Sequence, residues 1–147
     1  MADFNTILTP GDVDGGILNV VIEIPMGSSH KIEWNREKAV FQLDRVEPAI
    51  FAKPTNYGFI PQTLGQDNDP LDILVFCSQT IAPLCLVEVT VIGNMQMIDS
   101  GQMDDKIIAV ATQDPSVNHT SSINEMPPHF INEMRNFFEQ YKVLENK

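Results

Sequence analysis

The stretch DNDPLD, residues 67–72, places three carboxylates within six positions, and the apolar run ILVF, residues 73–76, follows it as a strand. The acids therefore lie at a corner between a loop and a strand. Asn68 tolerates turn conformations and Pro70 fixes its own φ, so the loop is stiff. Because no basic residue occurs from position 59 to position 81, the pattern favours a divalent metal with oxygen ligands, such as Mg²⁺, as the counter-charge. Taken alone, the stretch is also compatible with a solvated acidic turn.

Length and composition predict a cytoplasmic protein of one domain, residues 1–147. No apolar run approaches the ~20 residues of a membrane span, so no membrane partner is expected. The N-terminus has neither the basic start nor the apolar core of a secretory signal. Cys77 and Cys85 lie in apolar surroundings and are expected to be free, buried thiols, as is usual in a reducing compartment.

The formal net charge of −11 argues against nucleic acid as a partner, because phosphate backbones favour basic surfaces. It also restricts how the protein could bind a small phosphate compound. Either such a substrate arrives with a metal ion, or the few Lys and Arg residues are concentrated at the site.

Short segments of β type, separated by turns, occupy much of residues 17–111. Glu23 is the one charge in the first of them, where an outward-facing position on a half-buried sheet would explain it. Residues 54–61, bounded by prolines and rich in aromatics, are expected to form an ordered loop. A bulge or sharp bend is expected at Gly93. The predicted strands are residues 17–24, 30–34, 39–43, 73–76, 84–97 and 107–111, and the second and third form a hairpin.

One convincing helix is predicted at residues 129–144, after Pro127 and Pro128, since proline suits a first helical turn. Its apolar stripe at spacings of three and four is typical of a core face and consists of Phe130, Met134, Phe137, Tyr141 and Leu144. About six or seven short strands and this helix predict a mainly β protein. We expect a small antiparallel β-barrel with strands and loops over residues 17–111 and one helix, residues 128–144, packed on it.

Several motifs along the chain resemble those of the soluble family I inorganic pyrophosphatases. DNDPLD matches the family pattern Asp-(Gly/Ser/Asn)-Asp-Pro-apolar-Asp, and DSGQMDDK, residues 99–106, matches the pattern Asp, four residues, Asp, one residue, Lys. Weaker matches are EIP at 23–25, KIE at 31–33, NYGFIP at 56–61 and FFEQYK at 137–142. The resemblance covers residues 17–142. An EF-hand is excluded, because its calcium loop needs Gly and Glu where Asp72 and Ser78 stand.

The resemblance implies an OB-like barrel and Mg²⁺-dependent hydrolysis of inorganic pyrophosphate to two orthophosphates. It makes Asp69 the general base, and it implies a homo-oligomer, a hexamer as in bacterial relatives. Ser100 departs from the usual acid at its position, which bears on the tuning of the metal site. The implied metal ligands are Glu23, Asp67, Asp72, Asp99 and Asp104. The implied substrate-binding residues are Lys31, Glu33, Arg45, Tyr57, Lys106, Tyr141 and Lys142, and Lys31, Arg45 and Tyr57 act with Asp69 in catalysis.

These roles are chemically consistent. Carboxylates that hold metal ions close together allow a shared water to lose its proton near neutral pH. Cations and phenols around the phosphates would offset the charge that develops during reaction. The arginine fork suits oxyanions in particular.

Alternatives remain open at this stage. Lys31 and Glu33 are also compatible with a surface ion pair, and Tyr57 and Tyr141 with packing alone. His119 is not a predicted ligand, since no His or Cys partner lies at metal spacing. A non-catalytic acidic module that binds divalent ions or a partner protein is the rival function. A nucleoside triphosphate hydrolase lacks support, because the chain has no Gly-rich phosphate loop of the Walker kind.

Overall fold

A computed structural model of the protein describes residues 8–35, 37–63, 71–96, 98–99, 102–103 and 105–144. Two 3₁₀ turns, Ala49–Phe51 and Ile123–Glu125, and one helix, α1 (Pro128–Leu144), accompany the strands. The strands are β1 (Gly11–Asp12), β2 (Ile17–Ile24), β3 (His30–Asn35), β4 (Val40–Val46), β5 (Asn56–Phe59), β6 (Asp72–Phe76), β7 (Leu86–Met95), β8 (Ile98–Asp99), β9 (Gln102–Met103) and β10 (Lys106–Ala111).

Five of these strands close into a barrel. Around the ring their order is β2, β5, β6, β10 and β7, and β7 pairs back onto β2. The short β1 pairs with the first two residues of β2. Strands β3 and β4 form one separate hairpin, and β8 and β9 form another. The predicted β-barrel with a C-terminal helix is confirmed.

The pairing of β6 with β10 is the one parallel contact among the described strands, and all the others are antiparallel. The sequence analysis anticipated a mainly antiparallel barrel and did not identify this exception. Parallel strands begin at the same end of a sheet. The first residues of β6 and β10, which are Asp72 and Lys106, are therefore neighbours.

Both faces of β6 are buried, which explains why this strand reads as a continuous apolar run. Ile73 and Val75 point into a cluster with residues from β2, β7 and β10, and this cluster fills the barrel. Leu74 and Phe76 alternate with them and lie in a second cluster, beneath α1. The period of two in β6 thus assigns its side chains to two separate layers of core.

Helix α1 begins at Pro128, as expected for a proline in a first turn. Met134 and Phe137 of the predicted stripe are buried, together with Phe138, and all three pack in the second cluster. Phe130 does not fit the prediction, because 46% of it remains exposed near the start of the helix. The side chain of Leu144 lies outside the described residues.

Residues 54–61 differ from the predicted loop, because Asn56–Phe59 form strand β5 between β2 and β6. Gly58 is needed there, since a Cβ at this position would collide with the Val21 carbonyl oxygen. The predicted irregularity near Gly93 is confirmed as a bulge, where β7 shifts register against β10 and Ile92 is the extra residue. The prolines and aromatics of residues 54–61 favoured a loop in the sequence analysis, although the backbone of β5 hydrogen-bonds to β2 on one side and to β6 on the other.

Cys77 and Cys85 are free thiols, as expected. Cys77 is half-buried, and burial raises the pKa of its thiol. Cys85 is exposed, so the prediction that both are buried was wrong for this one. It follows the exposed Leu84 in the turn that leads into β7, outside both core clusters.

The turn after β10 is tied to the segment after β6 by one carboxylate. Asp114 accepts the Ser78 N–H at 2.5 Å and the Ser116 N–H at 2.9 Å. These two bonds, with the larger effect from Ser78, hold the pKa of Asp114 far below its usual range. The ends of the two parallel strands are thus linked without a salt bridge.

Helix α1 is neither long nor apolar enough to cross a membrane, and the same holds for every helix in the described part of the chain.

Candidate active site

Lys106 lies at the end of the barrel where β6 and β10 begin. Its ammonium Nζ donates to Asp72 Oδ2 at 2.7 Å and lies 3.2 Å from the Tyr57 hydroxyl, although the lysine is buried. The rings of Tyr57 and Phe138 lie 5.6 and 5.7 Å from the ammonium, within cation–π range. Three residues that the motifs selected, from three different strands, are therefore in direct contact.

Glu23 owes its direction to a β-bulge. The register of β2 against β5 shifts between Ile22 and Ile24, so Glu23 is the extra residue, and bulges of this kind redirect a side chain. Its Oε2 accepts the backbone N–H of Trp34 in β3 at 3.1 Å. The acid is half-buried and links the barrel to the β3–β4 hairpin, so it is not simply an outward-facing residue of a regular sheet.

Lys31 and Arg45 lie opposite each other on β3 and β4. A second bulge makes Asp44 the extra residue beside them, and its Oδ2 lies 3.9 Å from Lys31 Nζ and 3.4 Å from Arg45 Nη1. Like charges opposite each other repel, and Asp44 offsets that repulsion. Lys31 also pairs with Glu33 at 3.4 Å, so the ion pair seen in the sequence exists within a larger charged cluster.

Arg45 connects the hairpin to helix α1. Its Nη2 lies 3.4 Å from the Tyr141 hydroxyl. The ring of Tyr141 packs at the same time against Phe51 and Phe137, with centroid distances of 6.0 and 5.5 Å. Tyr141 therefore serves the core with its ring and faces a cation with its hydroxyl, so the two interpretations of this residue do not exclude each other.

Glu47 and Lys53 form a second buried pair that the sequence analysis missed. Glu47 Oε1 accepts from Lys53 Nζ at 3.0 Å, and both residues are buried. Lys53 Nζ lies 5.2 Å from the Phe137 ring and 5.0 Å from the Tyr141 ring. The only sequence signal was a pair of opposite charges on either side of the apolar turn Ala49–Phe51, and such spacing is common on protein surfaces.

The two buried lysines lie next to one another along the helix. Lys106 is near the ring of Phe138, Lys53 is near the ring of Phe137, and these two rings meet edge to face at 5.0 Å. The residues selected on β4, β5, β6, β10 and α1 therefore form one connected region, whose cations come from distant parts of the sequence.

Several predicted site residues lie outside the described residues. They are Asp67, Asp69 and Asp104, together with the side chains of Asp99 and Lys142. Within the described part of the chain, no three His, Cys, Asp or Glu residues are grouped so that they could hold a metal ion. The two predicted ligands whose side chains are described, Glu23 and Asp72, both offer carboxylate oxygens, the donors that Mg²⁺ takes. The chemistry of this donor set fits the expected metal.

Comparison with known proteins gives the family. A family model described as inorganic pyrophosphatase matches residues 20–147. The chain belongs to the inorganic pyrophosphatase family. Among curated relatives, the inorganic pyrophosphatases of Neisseria meningitidis serogroup B and Haemophilus influenzae are each 57% identical over 145 residues. Each alignment covers 98% of this chain and 82% of the relative.

Solved structures of the family share the fold. An inorganic pyrophosphatase from Neisseria gonorrhoeae superposes with a TM-score of 0.93 at 56% identity, covering 97% of this chain and 83% of that one. The Thermus thermophilus enzyme superposes with a TM-score of 0.89 at 40% identity, covering 95% and 80%. Enzymes of this family need a divalent metal.

Proposed function

We propose that this chain hydrolyses inorganic pyrophosphate to two orthophosphates with Mg²⁺ as its metal. Family membership supports the activity, since the curated relatives at 57% identity are named inorganic pyrophosphatases. The observation that carries the proposal is the contact of Lys106 with Asp72 and Tyr57. A buried cation, a phenol and a half-buried carboxylate meet where strands β6 and β10 begin, at the ends of the acidic stretches 67–72 and 99–106.

The carboxylates would hold the metal. We assign this role to Glu23, Asp67, Asp72, Asp99 and Asp104. Bound Mg²⁺ would supply charge neutralisation for the phosphates and lower the pKa of the attacking water. Asp69, between two of the proposed ligands, would accept the proton of that water as general base.

The cations and phenols would bind the substrate phosphates. We assign this role to Lys31, Arg45, Tyr57, Lys106, Tyr141 and Lys142, with Glu33 orienting Lys31, its partner at 3.4 Å. Each donor would stabilise charge that develops on the phosphate being attacked or on the one that leaves. A protein of net charge −11 then accepts an anionic substrate, because this group and the metals separate the two.

Phosphate release from pyrophosphate, measured with Mg²⁺ and after its removal by a chelator, tests the activity directly. The enzyme releases orthophosphate only with the metal present. The rival acidic module, which the family assignment does not favour, binds divalent ions and releases none.

Asp69→Asn tests the proposed base. We expect the hydrolysis rate to fall by about 10²–10⁴, the usual contribution of a general base, with folding and Mg²⁺ affinity nearly unchanged. A variant that no longer binds Mg²⁺ would make Asp69 a ligand instead, and full activity would assign the base elsewhere.

Calcium tests the choice of metal. Carboxylates accept Ca²⁺ as well as Mg²⁺, but Ca²⁺ prefers ligands at about 2.3–2.6 Å instead of about 2.0–2.1 Å and a looser geometry. We expect Ca²⁺ to bind, to support no hydrolysis and to inhibit in competition with Mg²⁺. Equal rates with both ions would contradict the proposed dependence on geometry.

We also propose that residues 1–147 form one domain and that the protein is a cytoplasmic homo-oligomer, a hexamer by family resemblance. The family model supports the first point, since it spans residues 20–147 without interruption. Sedimentation of the purified protein tests the second, and a monomer at micromolar concentration would contradict it.

A further inference from the structure

We propose that Glu47 and Lys53 are positioning residues that hold Arg45 and Tyr141 in place for pyrophosphate binding. This inference rests on the proposed function, in which Arg45 and Tyr141 contact phosphate. Neither Glu47 nor Lys53 belongs to a motif that the sequence analysis selected.

The first support is the environment of the Glu47 carboxylate. Its side chain is only 1% exposed, and one oxygen, Oε1, accepts from Lys53 at 3.0 Å. The other, Oε2, is buried and has no hydrogen-bond partner among the described residues, while Arg45 Nη2 lies 3.7 Å away. A buried carboxylate oxygen without a hydrogen bond is costly, so the attraction of the guanidinium is the interaction that compensates for it. Glu47 therefore restrains Arg45 from the protein side.

The second support is the contact of Lys53 with the aromatic rings of α1. Its ammonium lies 5.0 Å from the Tyr141 ring and 5.2 Å from the Phe137 ring, and these two rings are stacked on each other. A desolvated cation over a ring face favours one orientation of that ring. Lys53 thus fixes the plane of Tyr141, whose hydroxyl lies 3.4 Å from Arg45.

The third support is the rigid attachment of the pair. The Glu47 N–H donates to the Ser29 carbonyl and the Lys53 N–H to the Ser28 carbonyl, each at 2.9 Å. The Gly27 N–H donates in turn to the Lys53 carbonyl at 2.9 Å. Both residues are therefore anchored to the turn that follows β2, so their side chains are held from a fixed backbone.

Among the described residues, Asp44 is a second acid beside Arg45, and it differs from Glu47 in exposure. The Asp44 side chain is 40% exposed, against 1% for Glu47. Water and salt weaken an exposed ion pair, whereas a buried charge is screened much less. Although Asp44 lies closer, at 3.4 Å against 3.7 Å, Glu47 acts on the guanidinium through a charge that solvent screens little. Because it is an anion closed off from solvent, it does not itself contact an anionic substrate.

A double-mutant cycle tests the inference. Glu47→Gln keeps the shape and an acceptor for Lys53 but removes the charge that faces Arg45. We expect kcat/KM for pyrophosphate to fall about tenfold in the presence of Arg45 and less than about twofold in an Arg45→Ala background. An equal loss in both backgrounds, or no loss, overturns the inference. Glu133→Gln, the same change on an exposed helical acid, is the matched control and leaves kcat/KM unchanged.

A second variant covers the case in which Glu47→Gln does not fold, since it leaves Lys53 charged and buried. The pair Glu47→Gln/Lys53→Met removes both charges together and retains packing against the rings. The same cycle against Arg45→Ala is expected to show the same dependence on Arg45. If the unaltered protein releases no phosphate from pyrophosphate, the proposed function and this inference both fail. If it does release phosphate, but the loss of kcat/KM is the same with and without Arg45, only the positioning role fails.

Discussion

Two buried lysines lie beside helix α1 and, among the residues that the structure describes, each has a carboxylate within 3.0 Å and two aromatic rings within cation–π range. Lys106 lies 2.7 Å from Asp72, and Lys53 lies 3.0 Å from Glu47. The difference is in the carboxylate, because the Asp72 side chain is 27% exposed and that of Glu47 is 1% exposed. The partly exposed Asp72 can give up its contact with Lys106 when a metal ion or an anion binds. The enclosed Glu47 cannot give up Lys53 in this way, so that pair has a structural role.

Removal of the enclosed lysine is expected to have the largest effect. Lys53→Met leaves Glu47 charged and buried, and breaking such a pair costs about 3–5 kcal/mol in free energy of unfolding. Urea denaturation at pH 7 measures this loss. The double variant Glu47→Gln/Lys53→Met is the control and should recover most of the stability. A Lys53→Met protein as stable as the unaltered one would show that the pair is not desolvated.

Removal of the lysine at the edge is expected to affect catalysis instead. Lys106→Met should lower kcat/KM for pyrophosphate by about 10²–10³, the range for one lost donor to developing charge. Its cost in stability should be smaller than that of Lys53→Met, because solvent can hydrate Asp72. The comparison would fail if the two lysine variants lost activity equally.

Arg45→Lys tests the role of the guanidinium that lies beside Asp44 and Glu47. A single ammonium keeps the charge but cannot face Asp44, Glu47 and the Tyr141 hydroxyl at once, as the planar fork does. We expect kcat/KM to fall about tenfold, comparable to one charge-assisted hydrogen bond, with only a small fall in the urea midpoint because the ammonium keeps a positive charge near Glu47. Steady-state kinetics identical to those of the unaltered protein would remove Arg45 from the site.

Asp114 extends the comparison to a carboxylate that N–H donors hold in place of a lysine. Because folding lowers its pKa, the ionised form stabilises the fold above the unfolded pKa of about 4, and this stability is lost as the pH falls below it. Asp114→Asn should therefore lower the urea midpoint at pH 7. The gap to the unaltered protein should narrow between pH 5 and pH 3, and a gap that is constant over this range would contradict the assignment.

The sequence predicted the parts of the molecule that depend on local patterns. Alternation and turn residues predicted four of the five barrel strands, all but β5, and proline at the start predicted α1. The motif DNDPLD led to Asp72, and the spacing of residues 99–106 led to Lys106, and the structure places these two side chains in contact. The resemblance assigned both residues to one site, as a metal ligand and a phosphate-binding residue, but it did not predict the contact between them.

The rest could not be predicted, for physical reasons. Glu23 drew attention as an acid within a strand, but a bulge breaks the period of two and so conceals the direction of the side chain. Glu47 and Lys53 carry no motif, and nothing in a sequence says that two charges will be buried together. The parallel pairing of β6 with β10 is a long-range choice that local alternation does not encode.

The position of β10 has a consequence for how the molecule forms. This last long strand lies between β6 and β7 in the ring, so the barrel cannot close until residue 111 has been synthesised. Pairings between segments this far apart in sequence are slow, and unpaired strand edges on β6 and β7 are exposed in the meantime. Lys106 arrives on the same strand that closes the ring. Closure of the barrel therefore also brings Lys106 to Asp72 and Tyr57, whereas Tyr141 joins Arg45 only when α1 packs.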